Sequence, residues 1–383
     1  MIIKGFVHFK KGEIPFVIEN YCMELFTDDL LLKEFCAEYN FKDNYILQGM
    51  SFDNGIHKRK ATFFVERSIG STCYLRCYII NMSEENEIYE NIGFQSLFLD
   101  DIFRYQYEYL DTVRKGINLS MNTVDVYKVP FYMDNLQYEL TFRIGYNNKR
   151  GLLEDYNRKG EVVIPLHTNE IQECYDITKG LYRFAMFMTS QSEVPFKHIT
   201  LYNKGIKVGW LFCPLVSENV VSWHTYSFYK FDVMKYVPKI LNNIAQDSGN
   251  KITKSIPLGH LGNFDSIHSP KRFMEQIMAF EYIFDKLDHK KAQDSRFSLK
   301  DELKSMFDEF LGMLSSNELD SEKISKGIKE LRRSIAHGYS YYYDFKDNPQ
   351  IQHLMYLLDD LIKCMSLKQI GFSKEEISNY IVR

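Results

Sequence analysis

The apolar residues of this chain change their spacing once, near residue 265, and that change constrains the fold more than any other feature. Beyond it, Phe273, Ile277, Phe280, Phe284 and Leu287 recur at alternating steps of four and three, which puts them on one helix face. The same rhythm returns in Leu299, Leu303, Met306, Phe310 and Leu314, then in Ile324, Ile328, Leu331 and Ile335. It returns again in Ile351, Leu354, Leu358, Leu361 and Met365. Helix punctuation sits where these stripes begin and end. Ser269–Pro270 supplies an N-cap and a first helical residue, Gly338 a C-terminal stop, and Ser373 with Glu376 a capping box. Four or five amphipathic helices over about 115 residues predict a compact bundle.

Before the change the chain reads as strands. Ile2–His8, Lys60–Glu66, Cys73–Ile80, Gln137–Gly145, Glu161–Leu166 and Ile206–Leu215 are rich in aromatic and β-branched residues. Asp53–Asn54–Gly55, Lys159–Gly160 and Asn203–Lys204–Gly205 read as turns between them. Phe231–Gln246 reads as a helix, and Asp247–Pro270, with its glycines, prolines and polar residues, as a linker. The expected fold class is α+β: a β-rich N-terminal sensing or binding domain over 1–265, followed by an all-α bundle over 266–383. The length of 383 residues suits two domains. No internal repeat is visible.

The formal net charge of −4 argues against a protein that coats nucleic acid non-specifically. Contact with RNA would have to be local. The first residues, MIIKGFVHFKKGE, have no long apolar core and no small-residue cleavage site, so no leader peptide is expected. No apolar run approaches membrane-spanning length, and the expected location is cytoplasmic. Seven scattered cysteines, Cys22, Cys36, Cys73, Cys77, Cys174, Cys213 and Cys364, have no zinc-like spacing and read as reduced thiols. No cofactor and no metal are expected.

The third helical stripe ends in Glu330–Leu331–Arg332–Arg333–Ser334–Ile335–Ala336–His337–Gly338–Tyr339. Arg332 and His337 are the residue types that cleavage of a ribose phosphodiester needs. The 2′-OH is the nucleophile; it needs a base, and the leaving 5′ oxygen needs an acid. A histidine can fill either role. The transition state gathers negative charge on non-bridging oxygens, which a guanidinium meets with a planar fork of donors. Five residues apart, the two side chains converge only if the last turn changes direction, which Gly338 permits. The spacing alone is weak: with 14 Arg and 10 His, chance yields such a pair about 0.4 times in a chain of this length. Without further support, His337 would cap the helix's last carbonyls, with Arg332 and Arg333 solvated.

RRSIAHGY at the end of a long helix in a C-terminal bundle resembles the signature of HEPN ribonucleases: Arg, a polar residue, three variable residues, then His. The resemblance covers about 269–383. It implies that Arg332 stabilises the phosphate, that His337 is the acid/base, and that two bundles pair so that both motifs face one cleft. The polar position is most often Asn or Asp in that family, whereas here it is Arg333. Tyr339 matches the extended Arg-x4-His-x-Tyr form of HEPN toxins paired with nucleotidyltransferase antitoxins, where the tyrosine is modified. It also opens a Tyr/Ser run for which ordinary packing is an equal reading. The whole layout is similar to the bacterial anti-phage HEPN proteins called ApeA. That similarity implies an abortive-infection nuclease acting on host RNA, tRNA included, after a phage-derived trigger. The rival reading is a catalytically silent HEPN dimerisation module carrying an N-terminal binding domain.

Other residues have two readings each. Glu281, on the otherwise apolar first helix, is either aimed at Arg332 or partly exposed. Lys323, Lys326, Lys329 and Arg333, at steps of three and four, line an RNA groove or a solvated face. His57–Lys58–Arg59–Lys60 reads as a basic loop. Tyr226–Phe231 reads as aromatic packing or, less readily, as a stacking surface.

Overall fold

A computed structural model describes all residues except 1, 11, 27, 28, 41, 54–56, 101, 104–123, 149–155, 190–193, 218–234, 248–267, 315–319, 340, 341, 382 and 383. The chain divides into two compact units. The first comprises Met1–Tyr182 and Val194–His224; the second comprises Arg183–Glu193 and Thr225–Arg383.

In the first unit, alternation of apolar and polar residues builds strands that each bury one face. In β1 (Ile3–Phe9) the residues Ile3, Val7 and Phe9 are buried while Lys4 and His8 are exposed. β2 (Gly12–Glu19), β3 (Cys22–Leu25), β4 (Tyr45–Asp53), β5 (His57–Ile69) and β6 (Thr72–Asn81) follow, in the order β3-β2-β1-β4-β5-β6. β3 also pairs with β6, so these six strands close on themselves. The barrel is too narrow for a lumen and is filled by side chains such as Val7, Phe16, Met23 and Phe63, together with Phe35 from α1 (Asp29–Tyr39). From β6 the sheet runs on through β12 (Ile206–Phe212), β11 (His198–Asn203), β7 (Asn91–Gln95), β10 (Tyr156–Pro165), β9 (Leu136–Asn148) and β8 (Val124–Met133). Helix α2 (Ile171–Thr189) follows β10 in the chain.

Two local expectations change here. Lys159–Gly160 is strand, not turn, because both residues pair with β9. Glycine is needed at 160 for close approach: a Cβ there would lie 2.0 Å from Asp100 Oδ1 and 2.7 Å from the Phe142 ring. His57–Lys58–Arg59–Lys60 begins β5, paired with β4, rather than forming a loop. The expected turn at Asn203–Lys204–Gly205 does join β11 to β12, with φ of 49° at Lys204 and 74° at Gly205, as a type I′ hairpin requires. Gly55 and the stretch Tyr226–Phe231 lie outside the described residues.

The second unit is helical. It contains α3 (Val237–Ala245), α4 (Pro270–Leu287), α5 (His289–Ala292), α6 (Leu299–Leu314), α7 (Ser321–Ala336), α8 (Tyr342–Asp347), α9 (Pro349–Gln369) and α10 (Lys374–Ile381). The stripes read from the sequence form its core. Phe273, Ile277, Phe280 and Phe284 of α4 are fully buried, as are Leu303 and Phe310 of α6, Ile328 of α7, and Leu358, Leu361 and Met365 of α9. Each such side chain contributes about 1.5–3 kcal/mol on leaving water. Ser269 caps α4 by accepting from the Arg272 N–H at 3.2 Å. The capping box of α10 is formed in both directions: Ser373 N–H to Glu376 at 2.7 Å, and Glu376 N–H to Ser373 Oγ at 3.2 Å.

The boundary also moves from its expected place. The second unit begins at Thr225 rather than near 266, because α3 has an apolar face, Val237, Ile240, Leu241 and Ile244, that must be covered. Tyr236, its N-cap, packs with ring centroids 5.1 Å from Phe372 and 6.2 Å from Tyr380, and Lys239 Nζ reaches Glu376 at 2.9 Å. Most of the expected linker, 248–267, lies outside the described residues. Among the described residues no helix is long and apolar enough to cross a membrane.

Candidate active site

Helix α7 carries the motif. Asp320 caps its start, accepting from the N–H groups of Glu322 at 3.0 Å and Lys323 at 3.4 Å. Ile324, Ile328 and Leu331 anchor it to the core. Its end is a Schellman motif: Tyr339 N–H donates to Ser334 O at 2.8 Å and Gly338 N–H to Ile335 O at 2.9 Å. Gly338 takes φ of 73°, the left-handed conformation that closes both bonds. His337 is the residue before it, with φ of −94° and ψ of 4° and its own N–H still bonded to Arg333 O at 3.1 Å.

The change of direction therefore comes one residue after His337. It does not turn the histidine back toward Arg332, as the sequence reading required for the two to meet. Five residues of near-helical backbone separate them by roughly 140° around the axis and ~7.5 Å along it. His337 is exposed at the helix end, and its ring lies 5.9 Å from that of Tyr339 at an interplanar angle of 28°. Tyr339 is 74% exposed, so ordinary core packing does not describe it. The side chains of Tyr342 and Tyr343 lie outside the described residues.

Arg332 is placed otherwise. Its Nη2 lies 3.2 Å from Glu281 Oε1, across from α7 to α4. The structure thus brings together two residues singled out from sequence, while both remain about two-fifths exposed (42% and 39%). An ion pair that open to water adds at most about 1 kcal/mol of stability; its effect is to hold the guanidinium in one place.

A third residue joins this pair that sequence reasoning missed. Glu302, in the first turn of α6, has its carboxyl pushed up to about 7, by burial first and then by the negative charge of Glu281, with Arg332 pulling the other way. In sequence it is one more acid on the polar edge of an amphipathic helix, and nothing local distinguishes it.

The cationic residues are distributed along the outside of α7. Lys326 and Arg333 are exposed, and Lys326 Nζ lies 3.9 Å from Glu330. Lys329 is exposed and acts on Asp301 of α6, while Lys323 lies 3.8 Å from Asp320. These carboxylates temper the positive field expected of an RNA groove. Among the described residues no group of three or more His, Cys, Asp or Glu side chains could hold a metal ion.

A buried polar contact fixes α4 against α9. Arg272, 5% exposed, reaches Asp359 at 3.4 Å, and the fully buried Gln276 donates to Met355 O at 3.0 Å. This contact sets the position of the helix that presents Glu281.

Comparison with known proteins adds one finding. Residues 263–376 match the family model described as Apea-like HEPN, a span that covers α4 to α9 and the start of α10 and is under a third of the chain. No curated protein and no solved structure matches. The helical region of this chain carries an Apea-like HEPN domain.

Proposed function

We propose that the helical unit is a metal-independent endoribonuclease in which Arg332 stabilises the phosphate and His337 transfers the proton. The observation that carries this reading is the placement of the motif inside the matched span. Arg332 is held by Glu281 at 3.2 Å, and His337 stands exposed on a capped helix end. HEPN domains are generally ribonucleases, and typically they pair and act on RNA.

The chemistry needs groups this chain supplies. RNA brings its own nucleophile. His337, at a helix C-terminus, lies where the backbone's partial negative charge favours a cationic imidazolium, and an exposed position gives substrate access. Arg332 stays charged throughout, and its fork can leave Glu281 for phosphate oxygens or share itself between them. One histidine cannot act as base and acid in the same step, and Arg332 and His337 of one chain are set apart around the helix. A homodimer through the helical bundle, two motifs facing one cleft, resolves both points. We assign the β-rich unit the role of sensing a trigger and shifting the population of the active arrangement, in a defence pathway that damages host RNA.

The rival, a silent dimerisation module, is favoured by one observation: Arg333 stands in the polar position where the resembled family most often has Asn or Asp. An RNA cleavage assay separates the two. Wild type should cut RNA in the presence of EDTA, and His337→Ala should lower the rate by ~10²–10⁴-fold with folding intact. Absence of cleavage by wild type, or cleavage lost on adding EDTA, would overturn the reading.

A further inference from the structure

We propose that Glu302 is a positioning residue of this site. Together with Glu281 it flanks Arg332, and its proton decides whether the guanidinium is directed outward to a phosphate or held by two protein carboxylates. The proposal rests on the ribonuclease reading and adds a pH-dependent control to it.

The geometry comes from three helices. Helices α6 and α7 run antiparallel: Ser321 Oγ donates to Asp308 Oδ1 at 2.5 Å where α7 begins. Descending α6 then means ascending α7, so Asp301 comes under the charge of Lys329 and Glu302 under that of Arg332. From α4, Glu281 touches Arg332 directly at 3.2 Å and acts on Glu302 as well. Arg332 therefore has a carboxyl group on two neighbouring helices.

The charged groups acting on Glu302 are Glu281 from α4, Arg332 from α7 and Asp301 beside it on α6. On α9, Lys368 is paired with Glu309, two turns away along α6. Two like charges thus face one cation, and part of the site is withdrawn from water. That arrangement favours a proton on Glu302 and places its titration at about 7. When protonated, Glu302 leaves Arg332 with a single carboxylate partner, and a substrate phosphate competes with Glu281 alone. When ionised, it adds a second competing carboxylate and a negative charge that opposes the phosphate. The folded-state value is raised, so this contribution to activity is present below about pH 7 and is lost as pH rises through it.

The test is single-turnover cleavage of an RNA oligonucleotide from pH 5.5 to 9 by the full-length protein, wild type against Glu302→Gln. The variant should match wild type within about twofold at pH 6 and exceed it by ~3–10-fold at pH 8, because it removes the alkaline decline. Melting curves supply a readout independent of RNA: Glu302→Gln should raise the melting temperature at pH 8 by about 2–5 °C and leave it little changed at pH 5. An unaltered alkaline limb in the variant, or a loss of rate at every pH, would overturn the proposal while leaving the nuclease reading in place. A wild type that cuts no RNA would remove that reading and the proposal with it, whatever the melting curves show.

Discussion

The same substitution, glycine to alanine, should have opposite signs at two helix-associated positions of the second unit, and the reason is backbone alone. Gly338 sits at φ of 73°, and a Cβ built there meets nothing within 4 Å. Gly312, in the last turn of α6, also meets nothing within 4 Å but lies in helical backbone. Alanine at 338 therefore costs the left-handed penalty of roughly 1–2 kcal/mol, offset in part by about 0.5 kcal/mol from a stiffer unfolded chain. The net is a loss of about 1 kcal/mol. Alanine at 312 avoids the entropic cost of a helical glycine and gains about 0.5–1 kcal/mol. The two variants should thus differ by about 1.5–2 kcal/mol in urea unfolding of the full-length protein, followed by the far-ultraviolet signal of the helical unit. Equal stability, or a Gly338→Ala variant more stable than wild type, would refute the assignment of the Schellman turn on which His337 stands.

Further expectations follow from the same contacts. Arg272→Ala should destabilise the helical unit by about 2 kcal/mol, measured by denaturant titration, because it leaves Asp359 facing a buried glutamine without its cation. Ser373→Ala should cost about 1 kcal/mol by removing one arm of the capping box, and hydrogen exchange at Glu376 N–H reports the loss directly. Light scattering should detect at least a dimer, and specific activity should fall on dilution through its dissociation; full activity in a monomer would defeat the composite site.

The legibility of this chain in its sequence followed the range of the interactions. Helices α4, α6, α7 and α9 were visible because Phe273, Ile277, Phe280 and their counterparts repeat locally, and their ends were visible because capping by Ser269, Gly338 and Ser373 acts within three or four residues. The barrel was not visible: that β3 pairs with β6 is a contact between segments about fifty residues apart, and no local pattern announces it. Lys159–Gly160 read as a turn because glycine suits turns, whereas the strand needs it to admit Phe142 and Asp100. Helix α2 went unread, its face being a mixture of Ile171, Cys174, Thr178 and Leu181 interrupted by Gly180. At the site the distinction is the same. Arg332 and His337 share one helix and a recognisable spacing, while Glu302 acquires its character only from Glu281 and Arg332, which the fold brings to it from other helices.

The central claim, that this helical unit cleaves RNA by intramolecular attack of the 2′-OH, is tested most directly by the ends of the products. Wild-type protein incubated with a labelled RNA in EDTA should leave 2′,3′-cyclic phosphate on one fragment and a 5′-hydroxyl on the other, and Arg332→Ala should leave the RNA intact. Fragments ending in 3′-hydroxyl and 5′-phosphate, or the same cleavage from Arg332→Ala, would contradict the account.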